Sequence, residues 1–195
     1  MKPVFKDGVW PVVLTPFRED GGLDMTAYRA LLEYYIGNGV AGLFAVCMSS
    51  ELYELTPEER LTLAREAVAV SAGRVPVVAS AFLGNSEAEK MQSVFDMAAT
   101  GVDAVVIPAC QLVPETADEA GFRRAFETLL GRTAGIRFGL YECPPSVPPA
   151  DFPRAARRTR AAGGRAARVP ERHLLRRRRH RGQARSVHRN PAQAL

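Results

Sequence analysis

Residues 73–108 read GRVPVVASAFLGNSEAEKMQSVFDMAATGVDAVVIP. Val75–Ala81 is a valine-rich apolar run, too short for a core helix, and it reads as a strand. Ser86-Glu87-Ala88-Glu89 then has the hydroxyl-to-glutamate spacing of an N-terminal capping box. Met91, Val94, Phe95 and Ala98 follow on one helical face, and Gly101 stands where that helix should end. Asp103–Ile107 (DAVVI) is a second apolar run. Neither run alternates polar with apolar residues, so both read as strands covered on two faces, as in a parallel sheet. Strand, helix and strand in this order make one right-handed βαβ unit.

The same unit recurs on either side. Val9–Leu14 (VWPVVL) precedes a Gly21-Gly22 turn, and Tyr28, Leu31, Leu32, Tyr35 and Ile36 then repeat at helical spacing up to Gly37 and Gly39. Ala41–Val46 (AGLFAV) is the next run, followed by Thr56-Pro57-Glu58-Glu59, a capping box with proline at the first helical position. Its helix should extend to Gly73. Beyond residue 108, Thr116-Ala117-Asp118-Glu119 is a third box, with Phe122, Phe126, Leu129 and Leu130 ahead of Gly131, and Ile136–Tyr141 (IRFGLY) is the fifth run. Alternating strands and helices predict an α/β fold, either an open doubly wound sheet or a (β/α)8 barrel. No G-x-G-x-x-G follows the first run and no Walker loop occurs, which favours the barrel. Only the first five βα units of a barrel are expected, over residues 1–152.

From Pro153 the periodicity stops. Residues 1–150 hold 12 basic and 19 acidic side chains, whereas residues 151–195 hold 14 Arg, no Lys, two acids and all three histidines. The formal net charge of +5 therefore describes neither part, and a basic-protein reading of the whole chain fails. Residues 153–195 read as an Arg-rich tail. One reading is a disordered or non-native arm, and another is a nucleic-acid-binding tail making salt-dependent phosphate contacts. No apolar run reaches the ~18 residues of a membrane span, and the start lacks a signal-peptide pattern. Cys47, Cys110 and Cys143 are widely spaced and odd in number, which fits reduced thiols and a cytoplasmic location.

In a barrel, functional groups follow the C-terminal ends of the strands. Those places hold Thr15-Pro16-Phe17, Cys47-Met48-Ser49-Ser50-Glu51, Pro108-Ala109-Cys110 and Tyr141-Glu142-Cys143-Pro144. Ser49 and Ser50, with their backbone N–H groups, suit a carboxylate or oxyanion, or are simple loop residues. Tyr141 suits proton transfer, or is a core aromatic with a satisfied hydroxyl. The cysteines lack His or Asp at ligand spacing, so small buried residues are expected rather than a metal site.

Thr15-Pro16-Phe17 before an acidic-glycine turn, the hydroxyl-rich turn ending in Glu51, and Leu55-Thr56-Pro57-Glu58-Glu59-Arg60 resemble the dihydrodipicolinate synthase/N-acetylneuraminate lyase family. Gly73–Ser80, Gly101–Pro108 and the L-Y-x-x-P of Leu140–Pro144 continue the resemblance in order, over roughly residues 8–150. It implies a class I aldolase or lyase, acting without metal or cofactor on a small α-keto acid such as pyruvate through a lysine Schiff base. It implies that Ser49 and Ser50 bind the carboxylate, that Tyr141 relays the proton, and that the intact family protein is a homo-oligomer. Neither membrane nor nucleic acid is the partner it implies. The family's common Gly-Thr-Thr-Gly-Glu reads here Cys47-Met48-Ser49-Ser50-Glu51, so Met48 replaces a relay hydroxyl, and Ala109 and Cys110 replace the aromatic that often follows strand four.

The Schiff-base lysine should lie about thirty residues beyond Tyr141, yet the last lysine is Lys90. Arginine runs such as Arg176–Arg179 are what GC-rich coding DNA yields in a shifted frame. Read one base later, Glu171–Ala184 is compatible with a lysine followed by Asp-Thr, similar to the family's strand-six signature. The expected product is a chain without Schiff-base activity. The alternatives are a nucleic-acid-binding protein using the tail, or a non-catalytic barrel subunit.

Overall fold

The structure is a computed structural model that describes residues 5–114 and 116–142. The Arg-rich tail from 153 to 195, Cys143 and the expectations placed on them lie outside the described residues.

Four parallel strands form one sheet: β1 (Leu43–Val46), β2 (Val77–Ser80), β3 (Ala104–Pro108) and β4 (Phe138–Tyr141). They lie side by side in chain order. A doubly wound sheet reverses direction at a switch point, whereas a barrel wall advances strand by strand in one sense. The uninterrupted order is that of a barrel.

The helices are α1 (Met25–Gly37), α2 (Pro57–Ser71), α3 (Glu87–Ala99), the single turn α4 (Ala109–Leu112) and α5 (Glu119–Arg132). Two of the three expected capping positions hold. Thr56 Oγ1 accepts the Glu59 N–H at 3.2 Å while the Glu59 carboxylate accepts the Thr56 N–H at 2.8 Å. Ser86 caps α3, although Glu89 reaches back to the Asn85 N–H rather than to that of Ser86. At α5 the cap moves two residues: Asp118, not Thr116, accepts the Gly121 N–H at 2.7 Å. A carboxylate one residue before the first helical turn also faces the helix dipole favourably, which a threonine does not match. Thr56→Ala should lower stability by about 1 kcal/mol, read as a shifted urea midpoint at constant slope.

The first apolar run departs from expectation. Val9–Leu14 lies along β1 but forms only an isolated parallel bridge, Val12 to Phe44, and not a ladder strand. Ala41 and Phe44 donate to the carbonyls of Val9 and Pro11, and Val13 donates to the Phe44 carbonyl. Pro11 has no N–H, so the run cannot continue the ladder on its own account.

Strand side chains separate onto two faces. Leu43, Ala45, Val77, Ala79, Val105 and Ile107 join Tyr28 and Leu32 of α1, Leu63, Ala64 and Ala67 of α2, and Met91, Val94 and Met97 of α3 in the main core. Each fully buried aliphatic there contributes about 1.5–3 kcal/mol relative to exposure. Phe44, Cys47, Val78, Ala104 and Val106 form a second cluster on the opposite, inner face, with Trp10, Val12, Met48 and Tyr141 packed against it.

The pairing register of β1 shifts between Phe44 and Val46. A bulge there places Ala45 and Val46 together in the helix-side core, and Cys47 rejoins Phe44 on the inner face. At the other end of β2, Asp103 accepts the Val77 N–H through its carboxylate and donates its own N–H to the Val77 carbonyl, fixing where β3 begins.

Candidate active site at the strand ends

The short 3₁₀ turn Met48–Ser50 follows β1 directly. It is held from below by a polar latch. Ser50 is fully buried; its hydroxyl donates to the Val13 carbonyl at 2.6 Å and accepts the Cys47 N–H at 3.1 Å. Thr15 returns the contact, its hydroxyl donating to the Ser50 carbonyl at 2.8 Å. The first apolar run and the turn after β1 are thus joined by side chains rather than by a ladder. Glu51 ends the turn in a left-handed conformation, φ 61°, and Phe82, just after β2, has φ 67°. Left-handed non-glycine residues are costly, and here both follow strand ends.

The latch divides the two serines that sequence reading paired. Ser49 is exposed, so its hydroxyl faces outward from the turn, whereas the hydroxyl of Ser50 is engaged inside it. Tyr141 closes β4 opposite the turn. Its ring meets Phe44 edge-on, centroids 5.8 Å apart and planes at 84°, and it packs on the inner cluster. Cys47 is fully buried between them. Burial pushes its thiol pKa up, while the nearby polar groups, the amides of Met48 and Ser49 and the hydroxyl of Tyr141, act in the opposite direction.

The structure therefore brings Ser49, Ser50, Cys47 and Tyr141 to one end of the inner face. Cys110 starts α4 and is partly buried. Among the described residues no three His, Cys, Asp or Glu side chains gather as a metal site would require. Sequence reading undervalued Thr15 and Cys47. Their signal was positional: Thr15 follows the first run, and Cys47 stands two residues before the paired hydroxyls of Ser49 and Ser50.

Two clefts lie elsewhere. One of about 580 Å³, lined by Tyr53, Arg60, Glu89, Asp96 and Gln111, sits between α2 and α3 on the helix side. Another of about 520 Å³ lies on the inner face between Phe5, Trp10, Val78, Ala104 and Arg137. Neither includes the turn or Tyr141, so cleft size and placement of chemical groups disagree. We give the strand-end cluster precedence, because volume alone supplies no reacting or orienting group.

A model of the dihydrodipicolinate synthetase family matches residues 6–130, most of the described chain. The chain belongs to that family. A DapA-like lyase of Rhizobium meliloti is 34% identical over 143 residues, which cover 71% of this chain and 45% of that protein. A 4-hydroxy-tetrahydrodipicolinate synthase of Ruegeria pomeroyi is 39% identical over 100 residues, covering 51% of this chain and 34% of that one. Among solved structures, a prophage protein of the dihydrodipicolinic acid synthase family from E. coli K12, in complex with pyruvate, superposes with a TM-score of 0.60 at 30% identity. That match covers 70% of this chain and 45% of that one. The chain thus spans less than half the length of these relatives. Both the barrel-type order and the family resemblance of the sequence agree with these matches. No helix among the described residues is long and apolar enough to cross a membrane.

Proposed function

We propose that this member of the dihydrodipicolinate synthetase family carries the keto-acid-recognition part of a cytoplasmic class I lyase. The observation that carries the reading is the convergence of the turn after β1 and Tyr141 at one end of the inner face. In this reading the carboxylate of a small α-keto acid such as pyruvate lies against the exposed Ser49 hydroxyl. Ser50 acts beneath it, holding the turn in shape through Val13 and Cys47. The pyruvate complex of the similar E. coli protein supports this ligand class.

Tyr141 then stands where a proton must move. Carbinolamine formation and loss of water at a keto carbon each need a proton delivered or removed, and a phenol does both without net change. The nucleophile is the part this chain does not supply. A Schiff base needs a neutral amine beside the keto carbon. Lys90 is the last lysine of the sequence, and its amine donates to the Gln111 carbonyl at 2.9 Å while lying over the Phe82 ring. Phe82 belongs to the helix-side core, not to the inner cluster. We therefore read the chain as a binding component without Schiff-base activity, with residues from 153 onward as a non-native tail. The homo-oligomer is assigned to the intact family protein.

The test is incubation of the full chain with pyruvate and borohydride, followed by intact mass and peptide mapping. The expected outcome is an unchanged mass, together with a pyruvate-dependent shift of the Tyr141 NMR resonances that Ser49→Ala weakens about tenfold. A reduced adduct on Lys2, Lys6 or Lys90 would overturn the placement of the site.

A further inference from the structure

We propose that the inner-face cleft at the start of the strands binds an aromatic carboxylate, with Arg137 receiving its charge. The cleft, about 520 Å³, has the size of a small-molecule site. Val78, Ala104 and Phe138 place it where β2, β3 and β4 begin, whereas Tyr141 and the turn after β1 stand where strands end. It is a second site, independent of the proposed keto-acid reading, and it holds no reacting group.

Alternation along β4 and the residue before it shapes the cleft. Phe138 pairs with Val105 of the helix-side core, so Arg137 and Gly139 take the inner face together with Tyr141. Gly139 brings no side chain to the floor, and Val78, Ala104 and Val106 line it with small or branched apolar groups. Phe5 and Trp10 stack with centroids 5.7 Å apart and planes at 23°, forming a wall of ring faces. The indole N–H is already given to the Lys6 carbonyl, so this wall offers aromatic surface alone.

Arg137 is the exception in this apolar setting. The five ion pairs among the described residues engage Arg18, Arg29, Arg74, Arg123 and Arg132. Arg137 is half-buried and belongs to none of them; its guanidinium carbon lies 5.7 Å from the centroid of the Phe5 ring. A ring face attracts a cation but accepts none of its charge, whereas a carboxylate takes the guanidinium fork through two oxygens. The cation lies over the same ring that begins the wall. One molecule with a carboxylate at the end of a flat apolar body therefore meets both.

The test titrates the full chain with naphthoate and, separately, with naphthylmethanol, which keeps the rings and lacks the charge. Trp10, the one tryptophan, should change its emission on binding, and nuclear Overhauser contacts should join the naphthyl protons to the Val78 and Val106 methyl groups. Naphthoate is expected to bind about tenfold more tightly than the alcohol. Arg137→Gln should remove that difference and leave the affinity for the alcohol unchanged. Gly139→Val keeps the charge and fills the floor, since a Cβ there lies 3.4 Å from Val106 Cγ2; it should abolish binding of both probes. Overhauser contacts in the unaltered chain need no substitution at all. Absence of binding, equal affinity for the two probes, or contacts to other methyl groups overturns the proposal. Naphthoate binding that Arg137→Gln leaves unchanged overturns it as well. Pyruvate takes no part in this titration, so its outcome and that of the proposed function are read separately.

Discussion

Ser50→Ala is expected to destabilise the chain by about 2–4 kcal/mol, far more than a serine on a loop ordinarily contributes. The hydroxyl removed is fully buried and serves two groups at once, the Val13 carbonyl and the Cys47 N–H. Both would be left buried without a partner, at about 1–3 kcal/mol each. Urea unfolding should show the lower midpoint at an unchanged slope. Ser49→Ala is the control. Its side chain is exposed, and its change should stay within about 0.5 kcal/mol. Equal effects from the two serines would show that the latch does not hold the turn. A loss below about 1 kcal/mol for Ser50→Ala would show the same.

Gly42→Ala should produce the second large effect, and with an unusual sign. Its backbone is not in the left-handed region, so alanine would ordinarily stabilise by about 0.4–1 kcal/mol through the unfolded chain. Here a Cβ at position 42 would lie 2.1, 2.3 and 2.4 Å from three ring carbons of Trp10. The indole is held in turn by its N–H donated to the Lys6 carbonyl at 3.1 Å and by stacking on Phe5, centroids 5.7 Å apart. Ring and methyl cannot both stay. The expected result is a loss of about 1–3 kcal/mol with Trp10 driven outward. Trp10 is the one tryptophan of the sequence, so its emission should shift to the red without interference. Trp10→Ala in the same chain should remove most of the Gly42→Ala penalty, a coupling read from a double-mutant cycle. Additive losses would exclude the ring contact as the cause.

Much of the fold was legible because its signals are local. The Thr56 and Ser86 caps lie within three residues of their partners, and the valine-rich runs announce strands buried on both faces. What stayed hidden depends on distant partners. A run buried on both sides has no alternation, so nothing in AGLFAV marks the bulge that turns Cys47 inward. The bond from Ser50 to Val13 spans 37 residues, and composition alone could not separate its buried hydroxyl from the exposed one of Ser49. Thr116 and Asp118 both suit a helix start, and Asp118 takes the cap, where its carboxylate also faces the helix dipole. Tyr141 was found from its place at a strand end, but Cys47, in the cluster against which it packs, had no motif to announce it.

The chain-order sheet also bears on how the protein is made. Each strand pairs with neighbours only about thirty residues away in sequence, as in Leu43 with Val77 and Val105 with Phe138. Among the described residues, a strand leaving the ribosome therefore meets an edge that has already emerged. The growing sheet has a direction, from the Val9–Leu14 run toward β4. Translation can build the described sheet unit by unit.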